Sequence, residues 1–516
     1  IMATQASAIT FLSTPGQAYT DGLRFVQFYL GLPLAMIVLS VTAVPLYYRL
    51  KVYTAYEFLE RRFDPKTRTL AASLFLIQRG LATGLTIYAP SLILTVVLGW
   101  DLHLTIAIIG VAVVFYTTAG GTRAVSRTHV LQAGIILAGT AAAFAVLVAS
   151  LPDGISLLDA ARVAGKAGKL AAIDLSFNLN DRYTLWSGLL GGFFLALSYF
   201  GADQSQVQRY LTGSAVAESR MGLLANGVLK VPMQLAILLV GVMVFAFYQL
   251  HSPPLFFNPA EVAKARTGAR ASWDSLEARH AEAAAIRAAR ARELAVALRS
   301  EDAPRREGAE RAWAAASSQV AVVRTEAIGL IQAADPAANP SDTNYVFLSF
   351  VVGHLPAGLL GLMLAAVFAA AMNSSSAELN ALASTTVVDV YRRHLRPVAS
   401  ERHYVMVSRF ATAAWGAFAV AFAESASRLG SLVEAVNILG SIFYGTILGI
   451  FLVAFYERRV SGTATFVAAV IAEAAVVACF LFTPISFLWY NVVGCLAVVG
   501  LAPVLDLVRR RRPSQR

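Results

Sequence analysis

Cysteine is almost absent from this chain: there are two in 516 residues, Cys479 and Cys495. Both fall inside apolar stretches, which excludes a disulfide framework or a cysteine-based metal centre and leaves them as packing residues. Also missing are a helical zinc-binding motif, a nucleophile elbow and a phosphate-binding glycine loop, so the reading is of a chain that is not an enzyme. Ten-residue segments of alternating polarity, the mark of an outer-membrane barrel, do not occur. No signal-peptide n-region precedes the first apolar residues. Sequence from Ile1 onward already reads as intramembrane, and the expectation is that a longer protein continues upstream.

What is present is apolar sequence in long runs. Hydrophobic residues make up 57% of the chain and the mean hydropathy is +0.62, above the level of soluble domains. Runs of roughly 20 apolar residues fit a bilayer as helices. Hydropathy predicts helices over 1–14, 20–48, 68–99, 103–119, 123–150, 184–210, 217–250, 357–392, 403–425, 430–455, 463–484 and 487–508. Pro15 and Gly16 are read as ending the first.

The net charge of +11 does not point to nucleic acid, because the basic residues cluster in loops at helix ends. Arg49, Lys51, Arg61, Arg62, Lys66 and Arg68 form one such group. Arg123 and Arg127 follow, then Arg209 and Arg220, then Arg392, Arg393, Arg396 and Arg402, then Arg458 and Arg459, then Arg509–Arg512. Strict alternation of spans puts all of them on one side, which the positive-inside rule makes cytoplasmic, the C-terminus included. The expectation is a multi-pass protein of an inner or plasma membrane, with the lipid bilayer as its partner. Its all-α transmembrane domain occupies 1–257 and 343–508, followed by a basic tail at 509–516. Residues 258–342 break the pattern. They are rich in Ala, Arg and Glu, with Trp273, Leu276, Ile286, Leu294 and Leu298 at helical spacing and a turn at Ser300–Pro304. They read as a solvated helical hairpin on the non-cytoplasmic side, with a periplasmic docking partner as the functional alternative.

Polar groups inside a bilayer are costly and are candidate sites by default. Met2–Thr10 is small and hydroxyl-rich, a stretch that can unwind to offer carbonyls to a cation, or pack as a helix interface. Ala369–Asn380 concentrates side-chain oxygens at 373, 374, 376, 378 and 380. Leu197–Arg209 holds a glycine and an acid in mid-span, suggesting a broken or closely packed helix. Arg79 lies about 16 Å into its span, and Lys230 sits at similar depth. Each either pairs with an internal acid or carbonyls, or holds an anion. Asp203 and Glu378 read as nearer the cytoplasmic face and poorly placed to neutralise Arg79, so Arg79 is expected to grip a solute carboxylate with its planar fork.

Four stretches taken together, Tyr53–Phe63, Gly120–Val125, Asp203–Arg209 and Ala370–Tyr391, resemble the sodium/solute symporter family, over nearly the whole chain except 258–342. The resemblance implies a LeuT-like five-plus-five inverted-repeat helix bundle from 1 to about 455, with broken first and sixth helices and two extra C-terminal helices. It also implies a helix and a half-helix upstream of Ile1. It implies sodium as the coupling ion, with no other metal or cofactor, held by Ala3, Ala6, Ala370, Asn373 and Ser374; position 373 is usually a hydroxyl residue. His129 stands where some members have a second-site aspartate, so one sodium per cycle is expected. The solute pocket would draw on Ser7, Thr10, Tyr29, Arg79, Ala196, Tyr199 and Lys230. The implied function is sodium-coupled symport of a small organic solute, carboxylate-bearing by preference. The alternatives are proton coupling, or a sensor on a transporter fold, for which no output domain follows before Arg516.

Overall fold

The computed structural model describes residues 7–50, 54–211 and 215–511, with backbone alone for 119–130, 210, 211 and 511. Among the described residues there are helices and no strands. Among the described residues, nine helical segments are long and apolar enough to cross a membrane. Their outer faces carry exposed apolar side chains such as Phe410 and Phe482, a surface that suits lipid and not water.

The helices in chain order are α1 (Ala8–Asp21), α2 (Leu32–Val41), α3 (Ala43–Leu50), α4 (Ala55–Arg62), α5 (Pro65–Leu98), α6 (Leu102–Ala149), α7 (Leu157–Lys166), α8 (Gly192–Gly201), α9 (Gln204–Leu211), α10 (Val216–Leu250), α11 (Pro259–Ala297), α12 (Ala303–Ala334), α13 (Thr343–His354), α14 (Ala357–Thr385), α15 (Glu401–Ala423), α16 (Leu432–Tyr456), α17 (Gly462–Phe482) and α18 (Phe487–Arg511). One set of five comprises α1, α2–α3, α5 and the two flanks of α6. The other comprises α8–α9, α10, α14, α15 and α16. Helices α17 and α18 pack on α16.

Several expectations need correction. Pro15 and Gly16 do not end the first helix. Ser7 caps α1, its hydroxyl accepting from the Thr10 N–H at 3.4 Å, and the helix runs through Pro15 to Gly22, whose φ of 70° terminates it. Helix α1 is sealed by close neighbours at that point. A Cβ on Gly16 would lie 2.0 Å from the Thr343 carbonyl oxygen, and one on Gly241 would lie 2.1 Å from that of Pro15. Packing this tight is how buried membrane helices accommodate proline. The predicted helix 20–48 opens instead with a 3-10 turn at Gly22–Tyr29. The helices α7 and α13 were missed altogether. The predicted division near 120 falls within 119–130, whose side chains lie outside the described residues. Its flanks are informative: Tyr116 and Gln132 both reach Asn373, yet one straight helix would hold them about 24 Å apart. The two flanks therefore do not share one straight axis.

The span predicted over 184–210 is broken. α8 ends at Gly201, and α9 restarts at Gln204. Asp203 sits in the gap and caps α9, its Oδ1 accepting from the Ser205 N–H at 2.8 Å, as N-cap carboxylates do. Helices α11 and α12, capped by Asn258 and Asp302, pack along each other around Trp273, Leu276, Val323 and Ile331. The pair is tied to the bundle: Arg299 meets Asp159 at 2.6 Å, Lys166 meets Glu310 at 2.7 Å, and Arg287 donates to the Tyr248 carbonyl at 2.6 Å.

The α1–α10 contact gives the first prediction. Gly241→Ala is expected to destabilise the protein by about 1–3 kcal/mol, the usual cost of overpacking. Gly358→Ala, with no atom within 4 Å of its added Cβ, should leave the melting temperature in detergent unchanged or higher. Equal melting for the two variants would show that the approach of α10 to Pro15 is not tight.

Candidate functional site

A cavity of about 200 Å³ opens among α1, the Gly22–Tyr29 turn, α5, α8–α9, α10, α14 and α16. Ser7 and Thr10 come from the first turn of α1, Tyr29 from the 3-10 turn, Arg79 from α5, Ala196 and Tyr199 from α8, and Lys230 from α10; all of them line it. Residues spread over more than 220 positions of sequence thus share one wall system. Their helices converge here because the break at Ala202–Asp203 and the small residues Gly192 and Ala196 let the backbones approach.

Arg79 is the centre of the polar network. It is 3% exposed, and the structure corrects the expectation that no acid neutralises it. Its Nη2 pairs with Asp203 Oδ2 and donates to the Tyr444 hydroxyl at 2.7 Å, and its Nη1 meets Glu378 Oε1 at 3.2 Å. Tyr444 in turn donates to Asp203 Oδ2 at 2.7 Å, and Thr86 donates to Glu378 Oε2 at 3.2 Å. The Tyr199 ring faces the guanidinium, 5.6 Å from its centroid, and Gln206 Nε2 donates to the Tyr199 hydroxyl at 2.8 Å. A break in this span was suggested by its glycine and acid, but depth alone placed Asp203 too near the cytoplasmic face to reach Arg79. In the unwound gap its carboxylate caps α9 with one oxygen and meets Arg79 with the other.

Lys230 is 4% exposed, with its Nζ 5.7 Å from the Tyr29 ring centroid, a cation–π distance. The cavity therefore carries three cationic side chains, Arg79, Arg209 and Lys230. They stand against two carboxylates, Glu378 on the wall and Asp203 behind Arg79. Among the described residues this leaves one more cation than carboxylate at the cavity, and in a low-dielectric site such a balance weighs on the local field.

Of the residues expected to hold sodium, Ala3 and Ala6 lie outside the described residues. Ala370, Asn373 and Ser374 are buried on α14. Ser374 lines the same cavity as Ser7 and Thr10. Asn373 donates from Nδ2 to Gln132 Oε1 at 2.7 Å, and its Oδ1 accepts from the Tyr116 hydroxyl at 3.4 Å. Beside them the hydroxyl oxygens of Ser375 and Ser376 are buried with no hydrogen-bond partner among the described residues. The His129 side chain lies outside the described residues. Sequence reasoning missed Tyr444, Thr86, Gln206 and Asn437 on the cavity wall. Tyr444, a lone phenol in an apolar span, carried a usable signal, since a buried hydroxyl needs a partner.

The sequence model of the Sodium:solute symporter family matches residues 1–272 and 321–472. The unmatched stretch between them lies inside the α11–α12 pair. Among known proteins, the Xenopus laevis sodium-coupled monocarboxylate transporter 1 is 26% identical over 446 residues. That match covers 86% of this chain and 58% of the relative, so the chain spans less than two thirds of that protein's length. The sodium/sialic acid symporter of Proteus mirabilis (strain HI4320) is 24% identical over 507 residues, covering 97% of this chain and 84% of the relative. A solved Na+-coupled sialic acid symporter in its substrate-bound outward-open state superposes with a TM-score of 0.73 at 21% identity, covering 98% of this chain and 88% of that one. The fold is thus LeuT-like, an all-α polytopic bundle with two extra C-terminal helices.

The network generates a stability prediction. Asp203→Ala removes one of the two carboxylates that meet Arg79, together with the cap of α9, and is expected to cost about 3–5 kcal/mol in unfolding free energy. The double variant Arg79→Met/Asp203→Leu should recover part of that loss, with Glu378 left to its hydrogen bond from Thr86. A single-variant cost near zero, or no recovery in the double variant, would show that the pair does not hold these helices.

Proposed function

The chain belongs to the sodium:solute symporter family, and from that premise we propose that it is a secondary active transporter, moving a small carboxylate-bearing solute together with sodium by alternating access. The observation that carries the solute class is the charge of the cavity: three cations against two carboxylates. A solute carboxylate balances that field, with Lys230, Tyr29, Ser7 and Thr10 around it and Tyr199 stacked between solute and Arg79. Arg79 serves this reading as a neutralised pivot and not as the carboxylate fork, because both its Nη groups already meet acids. The names of the relatives point the same way, a monocarboxylate and sialic acid.

Sodium in this proposal is bound by carbonyls of Ala3, Ala6 and Ala370, by the Asn373 side-chain oxygen and by the Ser374 hydroxyl. Hydroxyl and carbonyl oxygens suit a hard monovalent cation. With histidine at position 129, one sodium per cycle is proposed. Sodium and a carboxylate entering one low-dielectric site cancel each other's charge, so each binds better when the other is present. The basic loops and the 509–516 tail are placed on the cytoplasmic side, and the insertion at 258–342 on the opposite side.

In proteoliposomes, an inward sodium gradient is expected to drive uptake of lactate, pyruvate or sialic acid and not of glucose. Ser374→Ala should raise the half-saturating sodium concentration about tenfold, the worth of one ligand oxygen, with melting unchanged. Equal uptake when choline replaces sodium, or uptake driven by a proton gradient alone, would sink sodium coupling.

A further inference from the structure

A second cavity, about 410 Å³, lies where the α11–α12 pair meets the bundle. Its charged lining comprises Lys169, Arg287 and Arg324 against the single carboxylate of Asp342. Asp342 is already committed: it pairs with Arg324 and accepts from the Phe257 N–H at 2.7 Å. Lys169 donates to the Thr20 carbonyl and lies 5.0 Å from the Phe245 ring centroid.

Arg287 is the costly member. It is 6% exposed, donates from Nη2 to the Tyr248 carbonyl, and has no acceptor for its Nε and no carboxylate within ion-pair distance among the described residues. Burial, with Arg324 nearby, pushes its proton affinity down. Among the described residues, Trp313 Nε1 and Ser317 Oγ are buried without partners. His280, 3% exposed and without a hydrogen bond among the described residues, is held neutral by burial and by Arg287 and Arg324, its pKa pushed down to about 4. The Gln249 amide, whose Oε1 is unpartnered, completes the polar wall. Asp21 acts on Lys169 from behind the lining, which leaves three cations against two carboxylates among the described residues, and buried donors of that kind are stable when an anion with several oxygens answers them.

We propose that this cavity is a second ligand site, which takes a small oxyanion between the inserted helical pair and the transmembrane bundle. It is distinct from the central cavity in place and in origin. His280, Arg287, Trp313 and Ser317 all fall in the 273–320 stretch that the family match leaves out. Its position gives it a route to the central cavity. Helix α1 offers Thr10 to one and Tyr19 to the other, and α10 offers Lys230 to one and Phe245 to the other. An anion held here pins the same ends of both helices to α11 and α12, and so acts on the helices that form the central site.

The test is calorimetric titration of the purified full chain with potassium acetate and with potassium phosphate, in the absence of sodium. Saturable binding of at least one is expected. Acetate preference would identify an organic carboxylate as the occupant, and phosphate preference an inorganic oxyanion. Arg287→Gln should weaken binding about tenfold, the scale of one lost charge-assisted hydrogen bond. Ser317→Phe fills the cavity without touching a charge and should block binding even if Arg287→Gln folds poorly. Lys230→Met alters only the central cavity and should leave the binding in place. Absence of binding by both anions, binding that both hairpin variants leave intact, or binding that disappears in Lys230→Met would overturn the proposal.

Discussion

A guanidinium in the middle of a membrane protein must find its partners inside the protein, and here Arg79 finds two counter-charges and a phenol hydroxyl on three other segments. Asp203 comes from the gap between α8 and α9, Glu378 from α14 and Tyr444 from α16. Pairing makes the cation tolerable at that depth, and it also fixes the register of four helices around one point. The break in the α8–α9 span is a structural requirement of this arrangement. In an unbroken helix the N–H groups of α9 would bond to the preceding turn; at the break they are free, and Asp203 caps α9 with one oxygen and meets Arg79 with the other.

The cavity inherits its chemistry from that cluster. Two acids against one arginine leave a negative cluster, which Lys230 and Arg209 more than offset. In the proposed cycle, sodium bound on the α14 side adds a charge of the same sign, and a solute carboxylate removes it. Coupling then follows from electrostatics in a low-dielectric pocket and needs no contact between ion and solute. Tight glycine packing supports this. With α1 against α13 at Gly16 and α10 against α1 at Gly241, these helices form a closely fitted set.

Hydropathy alone revealed most of the spans, because lipid-facing and core-facing residues are both apolar and length does the rest. Local rules failed where tertiary packing replaced them. Pro15 reads as a stop, yet α1 continues, held by neighbours that approach within backbone contact. Helix α13, only 12 residues long, was too short to register as a span. The cavity residues Ser7, Thr10, Tyr29, Arg79, Tyr199 and Lys230 were named from resemblance to a family, and they are found together. The partners of Arg79 were not legible, because depth counted along a span does not say which helices face each other: Asp203 lies in an unwound gap and Glu378 on the unbroken α14. The α11–α12 pair was legible as two amphipathic helices, but its buried Arg287 and His280 looked like two more polar residues in a solvated hairpin.

The central claim is that the central cavity is built for an anion whose binding sodium strengthens. Its most direct test is equilibrium binding of matched carboxylates and primary amides, such as lactate against lactamide, to the purified protein with and without sodium. The account predicts that sodium tightens binding of a carboxylate, and that its amide, equal in shape but uncharged, binds at least about tenfold more weakly. Amides that bind as well as their acids, or carboxylate binding indifferent to sodium, would contradict it.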